Sequence, residues 1–303
     1  MVNKIKYYKP YIPDRLQKFF DRYKTTIDSL FEILQSFKPD IPNSFFYSAK
    51  YPPKNSRYRY TDKLFIGCIF YVLKYGTTWE SFIGPIPGKQ LNKRHHQYLD
   101  YDLYSKFYNI SLKKYLKTKK IKYLSIDTST INNKNCTEFS KRNPLNKGRK
   151  CGKISATTDD YGSPLSLLVT EFYHHDAKLA IKNLDDLAQN DVVQKAISKI
   201  EGNGYILCDK GYDSSNVIRK IKDQHMIPII PPVNRYVKNK KKKRKLNKRD
   251  KKKLKRRIKC EHFFGIIKRV AKINCIYEKK IKSYSGLLLM LCGSILLERI
   301  NTG

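Results

Sequence analysis

A chain of 303 residues that is 40% hydrophobic can bury a sizeable core, and its length suggests two domains. Its 63 Lys and Arg outnumber 26 Asp and Glu, giving a formal charge of +37, and nucleic acid is the partner such a surface favours, because cations on phosphates release condensed counterions. The seven cysteines form no CxxC pair and point to neither zinc nor disulfide chemistry; with no apolar signal core in Met1–Tyr8 they fit a protein that is not secreted.

The first 120 or so residues read as helical, from patterns such as Thr26 to Leu34 and Asp62 to Tyr75 with a stop at Gly76. Pro-containing loops at Pro39 to Pro53 and Pro85 to Pro87 separate these helices. Trp79 reads as a core anchor, and His95 and His96 as surface residues or phosphate contacts. From Ile121 the pattern changes. Tyr123–Asp127, Lys153–Thr158 and Leu165–Phe172 read as successive strands, with Asp159-Asp160-Tyr161-Gly162 as the hairpin turn between the last two. A helix over Ala177–Ile200, a strand at Tyr205–Cys208, a helix over Ser214–Gln224 and a strand at Ile227–Ile230 follow. Three antiparallel strands and then alternating helix and strand is the order of a ribonuclease-H-like α/β core, although periodicity alone allows other α/β folds. The expected organisation is an all-helical N-terminal domain over 1–120 and a mixed-sheet domain over 121–303. The apolar stretch Gly286–Leu297 is shorter than the roughly 20 residues of a membrane span and reads as a buried helix.

Three acids occupy unlike settings: Asp127 ends the apolar run Ile121–Ile126, Asp209 ends Gly204–Cys208, and Glu261 lies on a helix expected over Lys251–Ile273. A carboxylate at the mouth of a hydrophobic strand is costly to ionise unless a cation compensates it, so the three are candidate ligands of a divalent metal. The ordinary reading of Asp after a strand is a turn former or helix N-cap. Asp159 and Asp160 read as turn residues, Asp213 as a cap ahead of Ser214, and Asp176 as a cap of the following helix or a supporting residue. On the expected helix Arg257, Glu261 and Lys268 share one face at offsets of four and seven; the plain alternative there is a surface salt bridge. The run Lys238–Arg257, including Lys241, Lys242, Lys243, Arg244 and Lys245, repels itself unless it binds anions. Codon bias toward Lys, Asn, Ile and Tyr explains scattered lysines but not that run.

Ile126-Asp-Thr-Ser-Thr130, Gly148-Arg-Lys150 with Lys153-Ile-Ser-Ala156, His175-Asp176, Cys208-Asp-Lys-Gly-Tyr-Asp213, Pro228–Pro232 and Glu261-His-Phe-Phe264 occur in the order seen in DDE transposases of insertion sequences. The chain resembles a near full-length member of the branch called here IS-five-like, and Phe65–Trp79 resembles the helical domain that precedes its core. The family's tyrosine, arginine, glutamate, lysine signature is met by Arg257, Glu261 and Lys268, with Leu254 in the tyrosine's place.

The resemblance implies that Asp127, Asp209 and Glu261 hold two Mg²⁺ ions, replaceable by Mn²⁺, about 4 Å apart, with Asp127 bridging them. Water would cut the phosphodiester at the element end and the freed 3′-hydroxyl would attack target DNA. Double-stranded DNA, both element ends and target, is the implied partner, with a homodimer or larger assembly on it and no membrane. The implied location is the cytoplasm or nucleoid of a prokaryotic host, or a eukaryotic nucleus. A domesticated, non-catalytic DNA-binding protein and a ribonuclease-H-like nuclease without strand transfer are the alternatives; the first is disfavoured by three intact acids, the second is separable only by a joining assay.

Overall fold

The computed structural model describes residues 11–36, 60–139, 141–200, 202–234 and 244–301; the Pro39 to Pro53 loop and Lys241, Lys242 and Lys243 lie outside them. In chain order the elements are α1 (Asp14–Arg22), α2 (Lys24–Ser36), α3 (Asp62–Tyr75), α4 (Gly88–Asp100), α5 (Leu103–Thr118), β1 (Tyr123–Asn133), β2 (Arg142–Asn143), β3 (Arg149–Thr158) and β4 (Pro164–Glu171). Then come α6 (Asp176–Gln189), α7 (Asp191–Ile197), β5 (Gly204–Cys208), α8 (Ser215–Asp223), β6 (Met226–Ile229), α9 (Lys248–Leu254), α10 (Ile258–Lys268), α11 (Ala271–Asn274), β7 (Cys275–Ile276) and α12 (Ile281–Asn301). They divide into two compact units, one of residues 1–111, 270–273 and 282–298, the other of residues 112–269, 274–281 and 299–303.

The first unit is helical. Thr61 caps α3 by accepting from the Leu64 amide at 3.3 Å, and Gly76, at φ 69°, ends it in the left-handed conformation that glycine adopts without steric cost. His95 is wholly buried: its ring is bonded to the Tyr104 hydroxyl and to Ser283, both at 2.8 Å, and stacks 5.2 Å from Trp79. The surface or phosphate role expected of it is therefore wrong, because two hydroxyls satisfy both ring nitrogens inside the core; His96 is exposed, as expected. The apolar run Gly286–Leu297 is buried in the middle of α12. Helix packing lengthens the helix beyond that run: Ile281–Ile300 is long and apolar enough to cross a membrane, but 72% of its most apolar window is buried within the fold.

The second unit is the α/β one. β1 pairs antiparallel with β3 and β3 with β4, while β1 pairs parallel with β5 and β5 with β6, so the sheet runs β4-β3-β1-β5-β6, with β2 extending beside β3 and β7 beside β1. This is the ribonuclease-H-like arrangement. Leu124 and Ile126 of β1 are fully buried, as are Ile206 and Cys208 of β5. Burying an aliphatic side chain contributes about 1.5–3 kcal/mol, so each strand is anchored just ahead of its acid. β2 and β7 have two residues each, too short for a periodic signal.

Opposite faces of β1 meet different helices. Thr128 lies beside Ser155 in the β1–β3 register, and Ser155 accepts a 2.5 Å bond from Asn183 of α6, so α6 covers that face. Asp127 points to the other, where α10 packs. The helix expected over 177–200 is broken: Asn190 accepts from the Val192 and Val193 amides and starts α7 as a new helix. The helix expected over 251–273 consists of α9, a 3₁₀ turn at Lys255–Arg257, and α10, which ends at Lys268.

Gly162, in the turn between β3 and β4, has φ 75°, and the position of its missing Cβ lies 2.5 Å from the Lys259 carbonyl in α10. The bare backbone lets the Glu261-bearing helix close onto the turn. Gly162→Ala is expected to cost at least about 1–2 kcal/mol in urea denaturation, the penalty of a left-handed L-residue, with the contact to Lys259 adding to it. An unchanged midpoint would show that α10 does not depend on this approach.

Candidate active site

Asp127 sits in the middle of the sheet, next to Ile126, with its side chain only 21% exposed. One carboxylate oxygen accepts from the Thr128 amide at 2.9 Å and the other from Arg257 at 2.6 Å. Burial is the largest influence on this carboxyl and pushes its pKa up; the Thr128 amide and the Arg257 guanidinium pull it down, and nearby Asp209 pushes it up again. The net direction is upward, so the fold holds Asp127 as a charge that needs a cation.

Asp209 follows β5. Tyr123 pairs with Tyr205 and Ile126 with Cys208 in parallel register, so Asp127, which lies within β1 and not at the strand end expected for it, and Asp209, just past β5, lie on the same face of strands about 4.8 Å apart. Asp209 also does what an Asp after a strand ordinarily does: it accepts from the Lys210 amide at 2.7 Å and caps the short 3₁₀ turn Lys210–Tyr212.

Glu261 is exposed on the first turn of α10, one turn after Arg257, and accepts from that guanidinium at 2.7 Å. The plain i, i+4 salt bridge is thus present. Arg257 extends it by binding Asp127, 130 residues away, through its other terminal nitrogen, and so joins β1 to α10. Lys268, the last residue of α10, is part-buried; burial lowers its pKa. Leu254, in the place of the family's tyrosine, is part-buried at the end of α9.

The basic run divides into two faces where it is described. Lys253 lies 3.9 Å above the Tyr205 ring and Arg256 lies 4.7 Å above Tyr123, and the two rings stack 5.2 Å apart. With Arg257 on Asp127, three cations therefore dock this segment against β1 and β5. Arg244, Lys245, Lys248, Arg249, Lys251, Lys252 and Lys255 are exposed. Arg244 also pairs with Asp213 at 2.5 Å. Sequence reasoning missed the aromatic half of this arrangement. The signal was there, a tyrosine four residues before each Asp that follows an apolar run, in Tyr123–Asp127 and Tyr205–Asp209, and hence on the same strand face as the acid.

The other acids have structural partners. Asp159 is buried in its turn and accepts from the Tyr115 hydroxyl at 2.6 Å and from the Tyr161 and Ser163 amides at 2.9 Å. Asp160 accepts from the Lys122 and Tyr123 amides. Asp213 does not cap α8; its carboxylate is taken by the Val233 amide at 2.7 Å and by Arg244. Asp176 opens α6 and accepts from Lys153 at 2.8 Å and from Thr128 at 3.0 Å, which ties it to the residue after Asp127. Lys153 was not singled out as a partner, since no local spacing joins positions 153 and 176.

Among the described residues no three His, Cys, Asp or Glu side chains stand close enough together to hold a metal ion as placed. The donor chemistry nevertheless fits one of the Mg²⁺ or Mn²⁺ kind: the available ligands are carboxylate oxygens, and two of them already share a cation, Arg257. A carboxyl whose pKa is raised in the fold contributes stability below its ordinary pKa and loses it as pH rises through the raised value. Asp127→Asn is therefore expected to raise the melting temperature near pH 7 in EDTA, with the gain shrinking toward about pH 3. A difference independent of pH would show that burial is not what governs this group.

A family model described as "Transposase DDE domain" matches residues 106–296, well over half of the chain. No curated protein matches the chain in sequence. Among solved structures, a piggyBac transposase synaptic complex with hairpin DNA has a TM-score of 0.56 at 9% identity, covering 97% of this chain and 78% of that one, a likeness that shows the fold. The catalytic domain of Mos1 mariner transposase aligns at a TM-score of 0.28 and 12% identity, covering 65% of this chain and 91% of that one, too low to carry an argument. From its sequence match over residues 106–296, the chain belongs to the DDE transposase family.

Proposed function

We propose that this protein is an insertion-sequence transposase of the IS-five-like branch that cuts DNA at the ends of its element and joins the 3′-hydroxyls to target DNA. The observation that carries this reading is the convergence of Asp127, Asp209 and the Arg257–Glu261 pair on one side of the sheet. Asp127, Asp209 and Glu261 would hold two divalent ions, Mg²⁺ or Mn²⁺. Bound there, the ions would activate the attacking oxygen and stabilise the leaving one.

The remaining roles belong to the chain itself. Arg257 and Lys268, one turn before and two turns after Glu261, are placed to hold the phosphates that flank the scissile bond. The lysines and arginines of the 238–257 segment bind the DNA backbone without reading bases. Lys153 and Thr128 fix Asp176 against β1 and so steady the strand that carries Asp127. Assembly as a homodimer or larger complex on paired DNA ends is part of the proposal; the piggyBac structure, itself a synaptic complex with DNA, supports it only through the shared fold.

Alanine at Asp127, Asp209 or Glu261 is expected to abolish cleavage of an element-end duplex while leaving DNA binding largely intact, since chemistry rests on the carboxylates and affinity on phosphate contacts. Any of these variants that keeps more than about a tenth of wild-type cleavage removes that residue from the site.

Lys268→Ala is expected to lower joining of a pre-cleaved end to a target plasmid by about 100-fold, the order of loss when a scissile phosphate is misplaced, at nearly unchanged end binding. Unchanged joining leaves Lys268 as an ordinary helix-surface residue. Cleavage without joining by the wild-type protein favours a nuclease over a transposase. Retained binding with no cleavage at all favours a domesticated DNA-binding protein.

A further inference from the structure

The Arg257 guanidinium lies between two of the proposed ligands, one terminal nitrogen 2.6 Å from Asp127 Oδ2 and the other 2.7 Å from Glu261 Oε1. Arg257 and Asp127 are each about one-fifth exposed, so this pair is only partly screened by water, whereas Glu261 is 52% exposed and free to swing outward. A divalent ion bound by these carboxylates needs the same oxygen atoms. It would also meet a positive charge within contact distance, so ion and guanidinium exclude one another.

The displaced guanidinium must then find another anion. Its neighbours on the chain limit where it can go: Arg256 is held over Tyr123 and Lys253 over Tyr205, so the backbone carrying Arg257 stays against the sheet while the side chain turns. The anion within reach of such a side chain in a working complex is a DNA phosphate, which a guanidinium binds bidentately.

We propose that Arg257 is an exchange latch: its guanidinium closes the acidic site by bridging Asp127 and Glu261, a divalent cation displaces it, and the freed guanidinium then grips a DNA phosphate. Metal and DNA thereby bind with positive coupling, each favouring the state the other needs, and metal alone binds weakly because it must first break the bridge. This inference rests on the proposed assignment of the carboxylates as metal ligands.

The test measures Mn²⁺ binding to the DNA-free full-length protein, from the loss of the free ion's electron paramagnetic resonance signal. Arg257→Gln is expected to bind Mn²⁺ at least about tenfold more tightly than wild type, because a unit positive charge has left the ligands. Arg257→Lys, a point charge that cannot span both carboxylates, is expected to fall between them, and it keeps the comparison sound if the glutamine variant folds poorly. Asp127→Ala is expected to lose the site.

If Asp127→Ala loses Mn²⁺ but Arg257→Gln and Arg257→Lys bind it no better than wild type, the latch is wrong and the ligand assignment stands. If Asp127→Ala changes nothing, the ligand assignment itself fails and the latch with it. A short mixed-sequence duplex should raise the Mn²⁺ affinity of the wild type and leave that of Arg257→Gln nearly unchanged; equal effects on both would refute the hand-over to phosphate.

Discussion

A carboxylate in the middle of a β-sheet is the constraint around which the α/β unit is organised. Asp127 lies beside Ile126 and one residue from other buried strand positions, and removing an ionised carboxylate from water costs several kcal/mol unless a cation and hydrogen bonds replace the solvent. The flanking aliphatic residues supply a gain of comparable size, which keeps β1 in place and leaves Asp127 no route to solvent through a shift of the strand. A shift of one residue would move Leu124 and Ile126 onto the acid-bearing face under α10 and put the acid among the apolar residues of the other. The acid therefore stays and the rest of the site comes to it: Arg257 from the turn before α10, Glu261 one helical turn further on, and Asp209 from the neighbouring strand.

The same requirement explains how a self-repelling basic segment can fold at all. Lys253, Arg256 and Arg257, at successive offsets of three and one, put their charge onto Tyr205, Tyr123 and Asp127 respectively. Each of these contacts is worth at most a few kcal/mol. Together they convert part of the repulsion into attachment to the sheet, while the lysines on the other side of the segment keep their charge outward. Docked and outward-facing cations thus alternate within one stretch of chain, a division set by which residues face β1 and β5.

Much of this was legible in the sequence. The places of the strands and the turn at Asp159–Gly162 were, as local signals, and so was the order of elements that gives the ribonuclease-H-like sheet, but β1 runs on to Asn133, past the Asp127 at which its apolar run ends. The break at Asn190 and the 3₁₀ turn before α10 were not, since no Gly or Pro marks either place. Nor was the burial of His95, which depends on Tyr104 and on Ser283, 188 residues away. Within the site, the i, i+4 relation of Arg257 and Glu261 could be read from spacing, but the bond from Arg257 to Asp127 joins positions 130 residues apart and no local pattern encodes it. Asp213 looked like a helix cap for the same reason: its partners, Val233 and Arg244, lie 20 and 31 residues ahead.

Those two partners of Asp213 have a consequence for how the protein can change. Asn234 exchanges hydrogen bonds with the backbone of Arg244, at 2.8 and 3.2 Å, directly beside the Asp213 clasp. Positions 234 and 244 are therefore held by contacts that do not depend on what lies between them in the sequence. Lysines gained or lost between those positions would leave the Asp213 clasp in place beside β5. The net charge of the chain thus becomes a quantity that selection can adjust without touching the carboxylates.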